Sequence, residues 1–129
     1  MRTYPMGPRV ELTVYWLDRP GVLGPSASVY WKNQELLRLD LHEASPHVHY
    51  GMAQSRLWHA GGERIYLPET PIETRAGFAA YQINRNLAWC FANHPDPQVS
   101  VDLPDHAVLQ EAAAWLNECI LELDRSNRR

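Results

Sequence analysis

The sequence predicts an α+β domain: an antiparallel β-sheet of about four to six strands in the N-terminal half, followed by two C-terminal α-helices packed on one face. Three observations predict it. From Val10 to Tyr50 apolar and polar residues alternate, the period of half-buried strands. From Thr70 onward the apolar spacing lengthens to three and four residues, as on a helix face. Strands and helices are segregated along the chain rather than interleaved as in a parallel βαβ sheet. With 129 residues the chain is long enough for one core, so residues 1–129 are read as a single domain.

In the first strand Val10, Leu12, Val14 and Trp16 alternate with Glu11, Thr13 and Tyr15. Asp18-Arg-Pro-Gly and Leu23-Gly-Pro-Ser are turn signals. Ala27 to Trp31 is β-rich, and Lys32-Asn33-Gln34 is short enough for a hairpin loop. Leu37, Leu39 and Leu41 then alternate with Arg38, Asp40 and His42. With the leucines inward, Arg38, Asp40 and His42 share the opposite face. Ser45-Pro46 interrupts the pattern and His47 to Tyr50 resumes it, with His47 and His49 on one side. A turn at Pro46 either preserves or flips the side, so the sequence leaves open whether the two polar faces coincide. Gln54 to His59, Gly61-Gly62 and Arg64 to Leu67 suggest a further hairpin, its Gly pair supplying the positive φ of a tight turn.

The first helix starts at Thr70-Pro71-Ile72-Glu73, read as N-cap, first-turn Pro and capping box. Its core stripe is Ile72, Ala76, Ala79, Ile83, Leu87 and Cys90, and His94-Pro95-Asp96-Pro97 ends it near Asn93. A second stripe, Phe78, Gln82, Arg85 and Trp89 with Tyr81 beside it, must be covered by the second helix or by another subunit. The latter makes Phe78, Tyr81 and Trp89 a candidate homodimer surface. The second helix is expected from Pro104 to Asp124, capped by Asp102 or Asp105. Val108, Leu109, Ala112, Trp115, Leu116, Cys119, Ile120 and Leu123 form its apolar face, and Arg125 to Arg129 a polar end. Cys90 and Cys119 lie among apolar neighbours with no flanking cation, which predicts core thiols rather than reactive ones.

A net charge of −3 argues against a general duplex-DNA binder. The apolar runs are too short to span a bilayer, and the N-terminus lacks the apolar core of a secretory signal. A cytoplasmic location is the expectation. The basic residues are eleven Arg and one Lys; GC-rich codons explain that bias, and so does planar recognition of phosphate or carboxylate.

Chemistry concentrates between Asp40 and Gly51, which holds three of the six histidines. On a strand, His47 and His49 place two imidazoles on one side, roughly 6.5–7 Å apart along the chain. That spacing suits shared ligation of a divalent metal (zinc, nickel or manganese) when Asp40 or His42 joins. A bound ion with an open position lowers the pKa of its water, which suits hydrolysis. The metal-free alternative uses the histidines as general base and acid, with Arg38 stabilising a developing anion. The bland alternative is that these are solvent-facing strand residues beside a Pro turn. His59 and His106 read as solvated, and His94 as a helix-end cation. Tyr15, Tyr30, Tyr50, Tyr66 and Tyr81 raise RNA base stacking, although strand aromatics are more often cross-strand partners. No nucleophile elbow or phosphate loop is present.

The run Val29-Tyr-Trp-Lys-Asn-Gln-Glu-Leu-Leu-Arg38-Leu-Asp40, followed by Pro46-His47-Val-His49, resembles the central region of TumE-type proteins, small toxins of bacterial type II toxin–antitoxin systems. Arg38 and Asp40 match an Arg-x-Asp-like element there, and Pro46, His47 and His49 a Pro-His-x-His-like element. Leu41 stands where that family has Asn. The resemblance implies a small bacterial protein with nuclease-like activity, an antitoxin-like partner, and Arg38, Asp40, His47 and His49 as its working residues.

Overall fold

The computed structural model describes residues 1–50 and 63–128. Six strands form one antiparallel meander in chain order: β1 (Arg2–Pro5), β2 (Val10–Arg19), β3 (Val22–Trp31), β4 (Gln34–Asp40), β5 (His47–Tyr50) and β6 (Glu63–Tyr66). Among the described residues, four α-helices follow: α1 (Ile72–Tyr81), α2 (Leu87–Ala92), α3 (Pro97–Val101) and α4 (His106–Asn127), with a π-helical turn at Gln82–Asn86 between α1 and α2. The α+β class, with helix packing on the sheet, is as the periodicity predicts. No helix among the described residues is long and apolar enough to cross a membrane.

Alternation decides which face is covered. Leu12, Val14, Val29, Leu37, Leu39 and Val48 are buried and meet Ala76, Ala79, Ile83, Phe91, Leu116 and Ile120 from the helices. The other face carries Thr13, Ser26, Ser28, Asp40 and His49, polar side chains that are nonetheless buried. Polar groups out of water are costly unless hydrogen-bonded, so this face is built rather than merely solvated.

Several boundaries differ from the periodicity. β1 lies outside the alternating pattern; it pairs with β2 at the sheet edge, Arg2 opposite Val14. Leu23-Gly-Pro-Ser is not a turn but the start of β3. Pro25 is tolerated because its missing N–H faces the side where β4 has ended; its carbonyl still accepts from Leu41 N at 3.0 Å. Thr70 does not cap α1: Pro71 holds the N-cap position with no side-chain cap. Asp96-Pro97, expected only to end a helix, also starts α3, with Asp96 accepting from Gln98 N. Asp105 precedes α4 without capping it through its side chain. Asp102 instead accepts from Arg9 and Trp31.

The second stripe of the first helix divides. Gln82 is buried and Phe78 packs on the core, while Tyr81 and Trp89 stay 57% and 45% exposed. Both cysteines are buried, and neither forms a disulfide among the described residues. The expected strand at Gln54–His59, the Gly61-Gly62 turn and His59 itself lie outside the described residues.

Candidate metal centre

Register brings the two polar faces together. Asp40 lies opposite His47 and Arg38 opposite His49, and directly opposed residues share a face. The pairing continues across the sheet as Ser26–Asp40–His47–Tyr66 and Ser28–Arg38–His49–Arg64. The turn at Pro46 therefore preserves the side. All five predicted site residues line one cleft of roughly 400 Å³, together with Arg19 and Arg64.

Asp40 is its hub. Oδ1 accepts from Ser26 Oγ at 2.6 Å. Oδ2 lies 3.0 Å from His49 Nε2, 3.2 Å from His47 Nε2 and 3.4 Å from Arg38 Nε. Burial pushes this carboxyl up, but hydrogen bonds from His49 and Ser26 and the charges of Arg38 and His42 outweigh it. Asp40 is held well below the usual carboxylate range and stays ionised.

One ligand atom from each of Asp40, His47 and His49 lies within 4.8 Å of the other two. Ligands about 2.1 Å from an ion, at tetrahedral or octahedral angles, sit about 3.0–3.4 Å from one another. The two Asp40–His distances fall in that interval. His47 also has the outer contact that ligating histidines usually have: its Nδ1 is 2.8 Å from the Ser45 carbonyl. A carbonyl only accepts, so Nδ1 carries the hydrogen and, in the neutral ring, Nε2 keeps a lone pair toward Asp40. Ser45 presents that carbonyl from φ 51, a left-handed conformation costing a residue with a Cβ about 1–2 kcal/mol.

His42 is not among the three converging groups. Its Nε2 is 3.9 Å from Asp40 Oδ1 and is buried without a hydrogen-bond partner. Burial lowers its pKa; the Asp40 carboxylate opposes this, and the nearby His47, Arg19 and Arg75 side chains reinforce it. Two contacts place the His42 backbone. Gly24 lies so close that a Cβ there would sit 2.9 Å from His42 Cα, and Glu43 N donates to Leu23 O at 2.9 Å. Arg75 of α1 donates Nη1 to the Leu41 carbonyl and Nε to Thr70 O.

Glu35 is the residue that alternation misplaces. The β3–β4 register shifts between Val29 and Tyr30, so Leu36 is an extra residue and Glu35 comes to lie opposite Tyr30. A one-residue bulge reverses the parity of the faces on its two sides. Glu35 thus joins the polar face, accepts from Ser28 Oγ and approaches Arg38 Nη1 at 3.4 Å. The only hint in sequence is the doubled Leu36-Leu37.

The remaining candidates sit elsewhere. His94 is not a simple helix-end cation: it accepts from Asp96 N through Nδ1 and pairs with Gln34 Oε1 through Nε2. His106 is exposed in the first turn of α4. The tyrosines share no single platform. Tyr15, Tyr30 and Tyr66 belong to the polar face by register, whereas Tyr50 shares the Val48 side and meets Trp89.

No protein-family model, no curated protein and no solved structure matches this chain. The chemistry of the cleft is therefore read from its own geometry.

Proposed function

We propose that this protein is a metal-dependent hydrolase in which Asp40, His47 and His49 hold a divalent ion such as zinc, nickel or manganese. The convergence of three ligand atoms within 4.8 Å on one sheet face carries the reading. Three protein ligands leave a position open for water, the arrangement of catalytic rather than structural sites. The ion would supply an acidified water, and the chain's own residues the rest. Ser26 orients the Asp40 carboxylate. The Ser45 carbonyl fixes the His47 ring. His42 Nε2, buried without a partner, is placed to accept or hold a proton. Arg38, braced by Glu35, faces a developing anion.

The resemblance to TumE-type toxins adds two expectations to this reading, a nuclease-like substrate and an antitoxin-like partner. A neighbouring reading frame for a short antitoxin-like protein would support them.

The test is the His47→Ala/His49→Ala variant, loaded with each metal in turn and assayed on activated esters. It is expected to keep its circular dichroism spectrum while losing both bound metal and turnover. A variant that unfolds assigns the pair to structure, and a folded variant that retains its metal contradicts the site.

A second reading is a non-enzymatic homodimer through the Phe78, Tyr81 and Trp89 side. The exposure of Tyr81 and Trp89 favours it. Light scattering should then give twice 14.8 kDa, and Trp89→Glu should return the monomer. A wild-type protein that already runs as a monomer ends this reading.

A further inference from the structure

We infer that the cleft takes a small substrate through a terminal phosphoryl dianion, gripped by Arg38, Arg64 and Arg19 beside the ion. The inference deepens the hydrolase reading and rests on it for the ion's share of the charge.

Charge is the first observation. The cleft is lined by three arginines and one aspartate in a chain of net charge −3. Arg2, Arg9 and Arg128 on other surfaces each hold a carboxylate of their own. Among the described residues, Arg19 and Arg64 form no ion pair, nor do Arg75, Arg85 and Arg125 away from the cleft, so it is the gathering of Arg19, Arg38 and Arg64 in one cavity that sets the cleft apart. Arg38 has its pairs, Glu35 and Asp40, both at 3.4 Å. A divalent ion would leave this cavity strongly positive, and a low-dielectric cleft lined by one sign of charge concentrates the opposite sign.

Placement is the second. Arg38, His49 and Arg64 are register partners on three consecutive strands. With about 4.8 Å between strands, the two arginine Cα atoms stand about 10 Å apart on either side of His49. Arg19 joins from the end of β2, on the same face as Tyr15 and Leu17. A group seated over the ion's open side therefore has guanidinium on both flanks. Guanidinium offers a planar fork matched to phosphate and carboxylate oxygens.

Unfinished bonding is the third. Arg38 Nε and His42 Nε2 are buried without hydrogen-bond partners. Groups in that state cost free energy, which a small shift of the Arg38 and His42 side chains towards a bound oxyanion would recover.

Two features select a terminal phosphoryl group. A phosphate monoester carries close to two charges at neutral pH, more than a carboxylate or a phosphodiester, and so matches the larger positive excess. A nucleic-acid backbone is bound along an extended basic groove. Here the arginines converge on one small-molecule-sized cavity.

Calorimetry with three probes tests this: phenylphosphonate, benzoate and diphenyl phosphate, titrated into zinc-loaded and metal-free protein. Phenylphosphonate is expected to bind at least about tenfold tighter than the other two. Arg64→Gln and Arg19→Gln are each expected to weaken it about tenfold, the scale of one charge-assisted hydrogen bond, with zinc stoichiometry unchanged. Equal binding of benzoate overturns the phosphoryl assignment, and preferred binding of diphenyl phosphate overturns it in favour of a nuclease-like site. Arginine variants that bind phenylphosphonate normally overturn the grip. If zinc binds and phenylphosphonate does not, the inference falls and the metal site stands. If zinc does not bind while metal-free protein takes phenylphosphonate in an Arg64-dependent way, the anion site stands and the metal reading falls.

Discussion

Asp40 and Asp102 are both carboxylates surrounded by donors, yet they keep different company. Asp102 accepts Arg9 through Nε at 2.6 Å and Nη2 at 2.7 Å, and Trp31 Nε1 at 2.7 Å. Each donor is used once in good geometry, and none loses its proton near neutral pH. The result is a latch from the helical half to β3 and the β1–β2 connection. Asp40 instead draws two imidazole nitrogens and a guanidinium nitrogen onto a single oxygen, and leaves Arg38 Nε and His42 Nε2 without hydrogen bonds. A carboxylate that serves the fold completes its bonds; the Asp40 cluster stops short, with two buried nitrogens left unsatisfied. Both groups are held below the ordinary range. For Asp102 the hydrogen bonds of Arg9 and then Trp31 do this; for Asp40 burial works against it, and the hydrogen bonds of His49 and Ser26 prevail.

Neutralising each carboxylate in turn should separate their two roles most strongly. Asp40→Asn keeps the shape and should weaken zinc binding by about 100-fold or more, since even outer-shell changes reach about 10–100-fold. Asp102→Asn should leave zinc binding unchanged and lower the melting temperature. A zinc titration and a thermal scan on each variant suffice, and exchanged phenotypes would reverse the assignment.

The glycines separate the regions next. Gly24→Ala forces a Cβ to 2.9 Å from His42 Cα at φ +142. It should destabilise by about 1–3 kcal/mol, as overpacking does, and disturb zinc binding as well. Gly7→Ala meets nothing within 4 Å and should stay within about 0.5 kcal/mol of wild type. Urea melts give both values.

Ser26→Ala removes the donor to Asp40 Oδ1. Leaving that buried oxygen unpaired should cost about 1–3 kcal/mol, with weaker zinc binding but an intact site. Unchanged zinc affinity would mean that Ser26 serves only the fold.

Acid gives the smallest contrast. Both folded-state pKa values are depressed, so the stability they contribute is present above the unfolded aspartate value of about 3.9. It is lost as pH falls below that value toward the folded ones. The metal-free wild type should lose urea resistance between about pH 4 and pH 2, and each Asp→Asn variant should lose less across that window.

Much of the fold is legible in the sequence, for physical reasons. From Val10 to Leu41 burial on one face leaves a period of two, so both the sheet and the shared face of Arg38, Asp40 and His42 can be read. β1 cannot: Arg2 to Pro5 pairs at an edge and is largely exposed, so burial imprints no alternation on it. Pro25 and Asp96-Pro97 signal turns and breaks by their local preferences; tertiary pairing overrides the first, and helix capping reuses the second. The coincidence of the two site faces lies beyond the sequence, because it depends on the register of Asp40 with His47 across residues 41–46. Glu35 is hidden for a similar reason, since the bulge at Leu36 breaks the parity by which faces are counted.

The metal centre proposed for Asp40, His47 and His49 stands or falls on zinc uptake. Isothermal titration of zinc into metal-free wild-type and Asp40→Asn protein, with elemental analysis of the dialysed products, tests it most directly. One equivalent of zinc per chain is expected in the wild type, and none retained by the folded variant. Wild-type protein that takes up no zinc, nickel or manganese, or an Asp40→Asn protein that binds zinc as tightly as the wild type, would contradict it.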